Sequence, residues 1–442
     1  MIFMNDDLEK YIQKIEKNPE TGEDEVWLHN LPKDESLFTI INKFRKKYEE
    51  NKFIITKEIY IQGKTINKEV NFSSCVFIQD VNFLATQFKQ EVNFLKTRFK
   101  KEANFSDVEF ESIVDFSESK FLSEVIFQNT KFLWWTYFSE TIFFSKANFL
   151  GAQFLSITKF SDVQFEKNTY FHYVTFKDII DFSGKTYFKD AICFDSIDFQ
   201  NKVLFSNVIF EQETQFLHCK IGSNTFISFE GATFKKCLDI SRSNFHHCNL
   251  RFWNIKIEGD ENLSQYEKYI NDFGDKKVEP SVYAKIRETY RTIKNAFYKE
   301  DNRIEGLEFY KKEMDVYREE LKEKSFWHKD RFMLLLNKIS NNYGTSWSRG
   351  LLFTITVAFI FYLCILISLH NSLEWDIDNP DAWSNTLKHF LEVINVTRWK
   401  DIEPFGVELN GLAYLFLFIG RIFIGYGYYQ TIQAFRKYGK SS

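Results

Sequence analysis

Charged side chains stand in costly places near the end of this 442-residue chain. Arg421 falls near the middle of an apolar stretch that begins at Gly411 and reads LAYLFLFIGRIFIGYGYY. At that depth in a bilayer an ionisable group faces a cavity or a partner, because lipid exposure costs several kcal/mol. Glu392, upstream on an amphipathic stretch, is a candidate partner for it. Ahead of the apolar stretch, Val396-Thr397-Arg398-Trp399-Lys400-Asp401 sets two cations beside a carboxylate. The chemistry open to such residues is the handling of ions: Arg398 and Lys400 repel cations and tolerate anions. Bond-making chemistry is not expected, since the chain has no Walker loop, dinucleotide fingerprint, nucleophile elbow or metal-binding His-Glu motif. Neither enzyme activity nor a cofactor is therefore expected. The group His218-Cys219, Cys237 and His246-His247-Cys248 follows no zinc spacing. Its cysteines read as buried structural thiols, and no metal is expected.

The elements that must position these charges are two spans and the loop between them. Leu351 to Leu369 carries no charge and is long enough to cross a hydrocarbon core of about 30 Å. With the stretch from Gly411 it makes a two-span membrane domain over residues 346–436, followed by a short tail, 437–442. Lys338 and Arg349 precede the first span, Arg436, Lys437 and Lys440 follow the second, and the intervening loop is rich in Asp and Glu. The positive-inside rule then puts both termini in the cytoplasm. Within the loop, Leu387, Phe390, Leu391 and Ile394 recur at helical spacing, giving a re-entrant-like segment over 383–404. Gly425-Tyr426-Gly427 lies inside the last span and reads as small-residue helix packing.

Upstream, residues 257–345 form a helical connector. Tyr283, Ile286, Tyr290, Ile293 and Phe297 share one helical face, and Ile304, Leu307, Tyr310, Met314 and Tyr317 another, which predicts an antiparallel hairpin. Trp327 to Ile339 mixes Lys329, Arg331 and Lys338 with Phe332 and Leu334 to Leu336, as suits a helix lying on an anionic membrane surface. The N-terminal arm, 1–54, carries Leu8, Tyr11, Ile12 and Ile15 and then Phe38, Ile41 and Phe44 at helical spacing, which predicts a helical cap. Met1-Ile2-Phe3-Met4 runs directly into Asn5-Asp6-Asp7, so no secretory signal is expected. Six cysteines without pairing spacings fit a reduced compartment. A net charge of −4 gives no reason to expect a nucleic-acid partner.

Composition is dominated by the stretch between, 55–256. Phe supplies 51 of the 442 residues, far above ordinary usage, and most of them fall into one ladder. Val70-Asn71-Phe72, Val81-Asn82-Phe83, Val92-Asn93-Phe94 and Ala103-Asn104-Phe105 alternate with Phe77, Phe88, Phe99 and Phe110. Steps of five and six residues alternate, so the repeat is eleven. No helix keeps such a stripe on one face, because successive residues rotate by about 100°. Short extended segments joined by tight corners do keep it, each sending one Phe and one small residue inward. Ladder register slips near Phe182 to Phe194 and near Ile221 to Phe234, the expected places for a kink or protruding loop. Trp134-Trp135 with Tyr137 is the one aromatic cluster beyond the inward Phe, open to core packing or to a partner.

Ala103-Asn104-Phe105-Ser106-Asp107 and Ala147-Asn148-Phe149-Leu150-Gly151 resemble the pentapeptide-repeat family, A-(D/N)-(L/F)-x-x. The resemblance implies a right-handed quadrilateral β-helix, an all-β solenoid of four faces per coil. One residue extra in every second unit implies a small bulge at one pair of corners in each coil. The order span, amphipathic helix, Asp401-Ile402-x-Pro404, span is similar to the two-helix pore module of potassium-channel-like proteins. That family carries Thr-Val-Gly-Tyr-Gly ahead of the turn, where this chain has Val396, Thr397, Arg398, Trp399 and Lys400. Without the glycines the carbonyls cannot be aimed at the ion, so the resemblance implies a degenerate, poorly selective pore. It also implies a homo-oligomer, a tetramer by family, since two spans cannot enclose a pore. The expected protein is thus a two-pass protein of the bacterial inner membrane whose cytoplasmic solenoid senses or docks a protein partner. The alternatives are a non-conducting membrane-anchored scaffold and a membrane-disrupting effector of bacterial phage defence.

Overall fold

Every eleven residues the backbone of the Phe ladder turns left-handed: Ser74, Ala85, Lys96, Asp107, Glu118, Asn129 and Glu140 have φ between 52° and 59°. Each sits in a β-turn that directly follows a Phe. The turn closes when Thr86 N–H donates to the Phe83 carbonyl (3.0 Å) and Thr97 N–H to that of Phe94 (3.0 Å). The Asn before each of these Phe holds the turn from the side. Asn82, Asn93 and Asn104 accept from the backbone N–H of Leu84, Leu95 and Ser106 at 2.9, 2.8 and 2.9 Å. The alternate corners, as at 89–91, take one residue more and need no left-handed residue. The expected extra residue is therefore a wider corner, two to a coil.

The computed structural model describes residues 8–19, 22–48, 51–259, 282–325, 328–369, 380–397, 403–404 and 407–436. Its chain divides into two compact units between Thr292 and Ile293. In the first, two-residue strands stack as parallel in-register sheets, with nine strands on each of two faces and eight on a third. Val70 pairs with Val92 and Val92 with Val114, so four faces make one coil. The slips lengthen corners without breaking the ladder: Phe165 still pairs with Phe188, and Val203 with Ile227.

Inside, equivalent Phe rings stack from coil to coil. Phe138 lies 5.0 Å from Phe116 and 4.6 Å from Phe160, nearly parallel to both, while Phe127 meets it edge-on at 5.5 Å. The small inward slot behind the tight turn often holds a buried hydroxyl. Thr97, Thr130 and Thr141 donate to the carbonyls of Phe72, Phe105 and Phe116 one coil earlier, at 2.8, 2.7 and 2.7 Å. A polar slot is thus satisfied without leaving the core.

The N-terminal arm is mixed rather than helical. Residues 12–17 form a strand, β1 (Ile12–Lys17), antiparallel to β2 (Asp24–Leu28). β2 runs parallel to β3 (Lys52–Ile55), which joins the first solenoid sheet, so the solenoid begins slightly before residue 55. Helical spacing misled here because β1 is an edge strand: Ile15 is exposed, and the buried residues of the hairpin are Val26 and Leu28. The second predicted helix is present as α1 (Ser36–Lys47) and closes the coil end. Its Phe38 packs on Phe72 and Phe88. Asn42 accepts from Asn71 N–H (3.0 Å) and donates to the Glu69 carbonyl (2.6 Å), and Arg45 donates to the Ser73 carbonyl. These side chains take the backbone groups that a preceding coil would take. Past the last strand, helix α2 (Val282–Lys299) begins, and the Ile240 N–H donates to Thr289 Oγ1 (3.2 Å).

In the second unit α3 (Arg303–Glu320) folds back on the end of α2, where Gly306 lets Tyr298 approach and Lys294 bonds Glu313 at 2.7 Å. Next come α4 (Lys329–Asn341), α5 (Trp347–Ser368), α6 (Pro380–Ile394) and α7 (Gly411–Phe435). Both α5 and α7 are long and apolar enough to cross a membrane.

Candidate functional site

The second unit is built around the pairing of α5 with α7, and small residues set how closely they approach. A side chain at Gly427 would meet Thr354, one at Gly420 would meet Phe361, and one at Gly350 would meet Thr431. Gly427 therefore serves helix packing, whereas Gly425 faces open space. Ala358, Tyr362, Ile365, Leu417 and Ile424 bury their side chains at this contact, together with Val393 of α6. α6 touches both long helices. Tyr362 donates to the Thr386 carbonyl (3.1 Å), and Tyr428 donates to that of Ile394 (3.1 Å). Asn410 caps α7 through Ala413 N–H (2.8 Å) and donates to the Ser368 carbonyl at the end of α5 (2.8 Å). The end of α5 and the start of α7 are thereby tied to each other.

Of the site residues predicted from sequence, Val396 packs against the α5–α7 core. Thr397 is held by Asn395, whose side-chain oxygen accepts from both its N–H (3.2 Å) and its hydroxyl (2.7 Å). Arg398, Trp399, Lys400 and Asp401 lie outside the described residues. Glu392 is buried on α6 and lies 3.0 Å from His389 Nδ1, one turn earlier. Arg421 is half-buried at mid-helix in α7. Neither His389 nor the polar knot on α4 was visible in the sequence reading. In that knot Tyr426 Oη and Gln430 Nε2 both donate to Asn337 Oδ1, at 2.6 and 3.0 Å, and buried Asn341 donates to the Gln430 carbonyl at 3.0 Å. The only available signal was the spacing of Asn337 and Asn341, one turn apart on the helix Lys329–Asn341.

α4 keeps part of its predicted surface character. Phe332, Met333 and Ile339 are exposed, but Lys338 bonds Asp315 (2.6 Å) and Arg331 donates to the Lys322 and Lys324 carbonyls (3.2 and 2.5 Å). Two of the three cations expected to face lipid are engaged within the helical unit.

On the solenoid the His and Cys group does not converge. Cys219 donates to the Phe194 carbonyl (3.2 Å), and burial pushes its thiol up to about 12. His218 instead points to Asp195 (3.1 Å). Among the described residues no cluster of His, Cys, Asp and Glu could hold a metal ion. Trp134 and Trp135 are 57% and 44% exposed, which overturns core packing for this pair. They occupy a wide corner whose backbone is tied to the neighbouring coils: Val114 N–H donates to the Trp135 carbonyl (3.2 Å) and Thr136 N–H to that of Ile157 (3.1 Å).

A four-faced coil with a small residue and a Phe inward from each face now has a counterpart. The family model described as pentapeptide repeats (9 copies) matches residues 65–109 and 96–142. Those residues are pentapeptide repeats. The repeat register continues beyond the matched segment, through Phe160, Phe182 and Phe205 to the last strand at Lys256–Ile257. No curated protein and no solved structure matches the chain.

Proposed function

We propose that this is a membrane protein of channel-like design, in which α5 and α7 span the bilayer and the pentapeptide-repeat solenoid is its cytoplasmic docking arm. One observation carries the membrane reading. Leu352, Ile355, Phe359, Leu363 and Ile367 on α5, and Leu415, Phe418, Ile422 and Tyr429 on α7, are all exposed, an apolar surface far larger than soluble monomers leave in water. The channel-like reading adds α6. It lies between the spans, packs one face on them and leaves Trp383, Leu387 and Leu391 exposed on the other, a face suited to neighbouring subunits. Two spans enclose no pore, so conduction requires a homo-oligomer, and half-buried Arg421 with the loop cations favours a poorly selective or anion-tolerant path. The basic residues outside the two spans favour cytoplasmic termini.

The test is ion flux from liposomes containing the purified protein. Flux that depends on the protein and changes in Arg421→Gln supports the reading; tight liposomes, with the protein inserted and oligomeric, refute conduction. A second reading, a membrane-anchored scaffold that conducts nothing, draws on the exposed Trp134–Trp135 corner. It predicts that Trp134→Ala/Trp135→Ala abolishes retention of a cytoplasmic protein partner while bilayer insertion persists.

A further inference from the structure

At one end of the α5–α7 pair the second unit has a pocket of about 560 Å³ that opens broadly to the surface. Three cations from three separate parts of the chain reach its wall: Lys294 of α2, Arg303 at the start of α3, and Arg436 just after α7. Lys294 is bonded to Glu313 (2.7 Å), and Asp301, also on the wall, lies 3.5 Å from Arg303 Nε. Arg303 and Arg436 remain exposed. Tyr298, Tyr310 and Tyr343 complete the polar lining.

Tyr343 is an unusual wall residue. Asn342, Tyr343 and Gly344 turn left-handed in succession, with φ of 54°, 57° and 84°, a conformation that bulky side chains rarely adopt. The turn buries the Tyr343 side chain to 4% exposure, and among the described residues its hydroxyl has no hydrogen-bond partner. The Tyr343 ring packs with Leu321 and Leu334, so its left-handed turn and unsatisfied hydroxyl stand between that core and a pocket wall that carries three cations and one carboxylate.

Its place identifies the ligand class. Gly344 lies just before α5 begins at Trp347, and Gln433 and Arg436 end α7. Both apolar helices therefore have this end beside the cavity, at the depth of a headgroup layer. We propose that the cavity binds the phosphate of an anionic lipid headgroup, an inference that rests on the membrane reading above. Arginine and tyrosine donors suit a phosphate. A zwitterionic headgroup would bring its own cation against Arg303 and Arg436, so anionic lipids are favoured.

The experiment uses the full-length protein in detergent, titrated with phosphatidylglycerol or phosphatidylcholine, with retained lipid counted by native mass spectrometry. Insertion into phosphatidylcholine liposomes is measured in parallel. The wild type should retain phosphatidylglycerol at least about five-fold better, Arg303→Gln and Arg436→Gln should each lose about five-fold, and Arg436→Lys should keep most of the preference. Unchanged retention in both glutamine variants, with normal insertion, would overturn the proposal and leave the membrane reading standing. Displacement by millimolar inorganic phosphate without any preference between lipids would assign the cavity to a soluble anion and also overturn it. A wild type that enters no bilayer would remove the membrane reading itself.

Discussion

Replacing Phe138 by alanine tests whether the solenoid coheres through its ring columns. The side chain is fully buried, stacked at 5.0 and 4.6 Å on Phe116 and Phe160 and met at its edges by Phe127 and Phe149 at 5.5 and 5.9 Å. Phe→Ala in a core costs about 3–5 kcal/mol. Here two face-to-face stacks are lost together, each worth about 0.5–1.5 kcal/mol beyond area, and sheets on every side keep the coil from collapsing into the void. The expected cost is therefore near the upper limit, about 5 kcal/mol. Because each coil contacts only its neighbours, the loss should appear as local opening that spreads to adjacent coils. Hydrogen exchange on the full-length protein should show amides between about residues 114 and 160 exchanging three to four decades faster, at about 1.4 kcal/mol per decade. Phe144→Ala, at a corner and 42% exposed, should change exchange only about two-fold. Acceleration below about ten-fold, or confined to the 136–141 segment, would refute cohesion through the columns.

Three further outcomes follow from particular contacts. Gly427→Leu drives a side chain into Thr354 and should separate the long helices, lowering the melting temperature in detergent, whereas Gly425→Ala, facing open space, should hold or raise it by its gain in helix propensity, about 1 kcal/mol. Glu313→Gln removes the carboxylate bonded to Lys294 and should cost about 3 kcal/mol in thermal unfolding, while Lys294→Met with Glu313→Leu should be close to neutral. Burial pushes the Cys75 and Cys219 thiols up to about 11 and about 12 from 9.0, so both should resist maleimide at pH 7.5 until the protein is unfolded. The protonated thiol is the form the fold favours. Its stabilisation is complete below pH 9 and declines as pH rises from there towards 12, and Cys219→Ala should flatten that decline in urea titrations.

The solenoid was legible because its signal is redundant: Phe, the preceding Asn and the inward small residue recur at the same offsets in coil after coil, so local errors cancel. The arm before it had no such redundancy. Leu8, Tyr11, Ile12 and Ile15 fit a helix by spacing, yet β1 is held by pairing with β2, where alternating Val26 and Leu28 carried the true signal. Both long helices and α6 were readable from hydropathy and period. Their neighbours were not, because His389 beside Glu392 and Asn337 beside Tyr426 are matters of side-chain direction. The pocket beside the long helices was invisible for a simpler reason, since Lys294 and Arg436 line one wall only after the helices between them have packed.

A stack of parallel coils is also a template, and each free end can recruit another chain of matching strand direction. β1 denies that opportunity by running the opposite way and placing Lys14, Glu16 and Lys17 on its exposed edge, while α1 occupies the backbone groups of the first coil with Asn42 and Arg45. Residues 12–47 thus leave the first coil without an open edge of matching strand direction. A chain shortened to begin at Lys52 would present a bare coil to the far end of another molecule, a head-to-tail contact that does not close on itself.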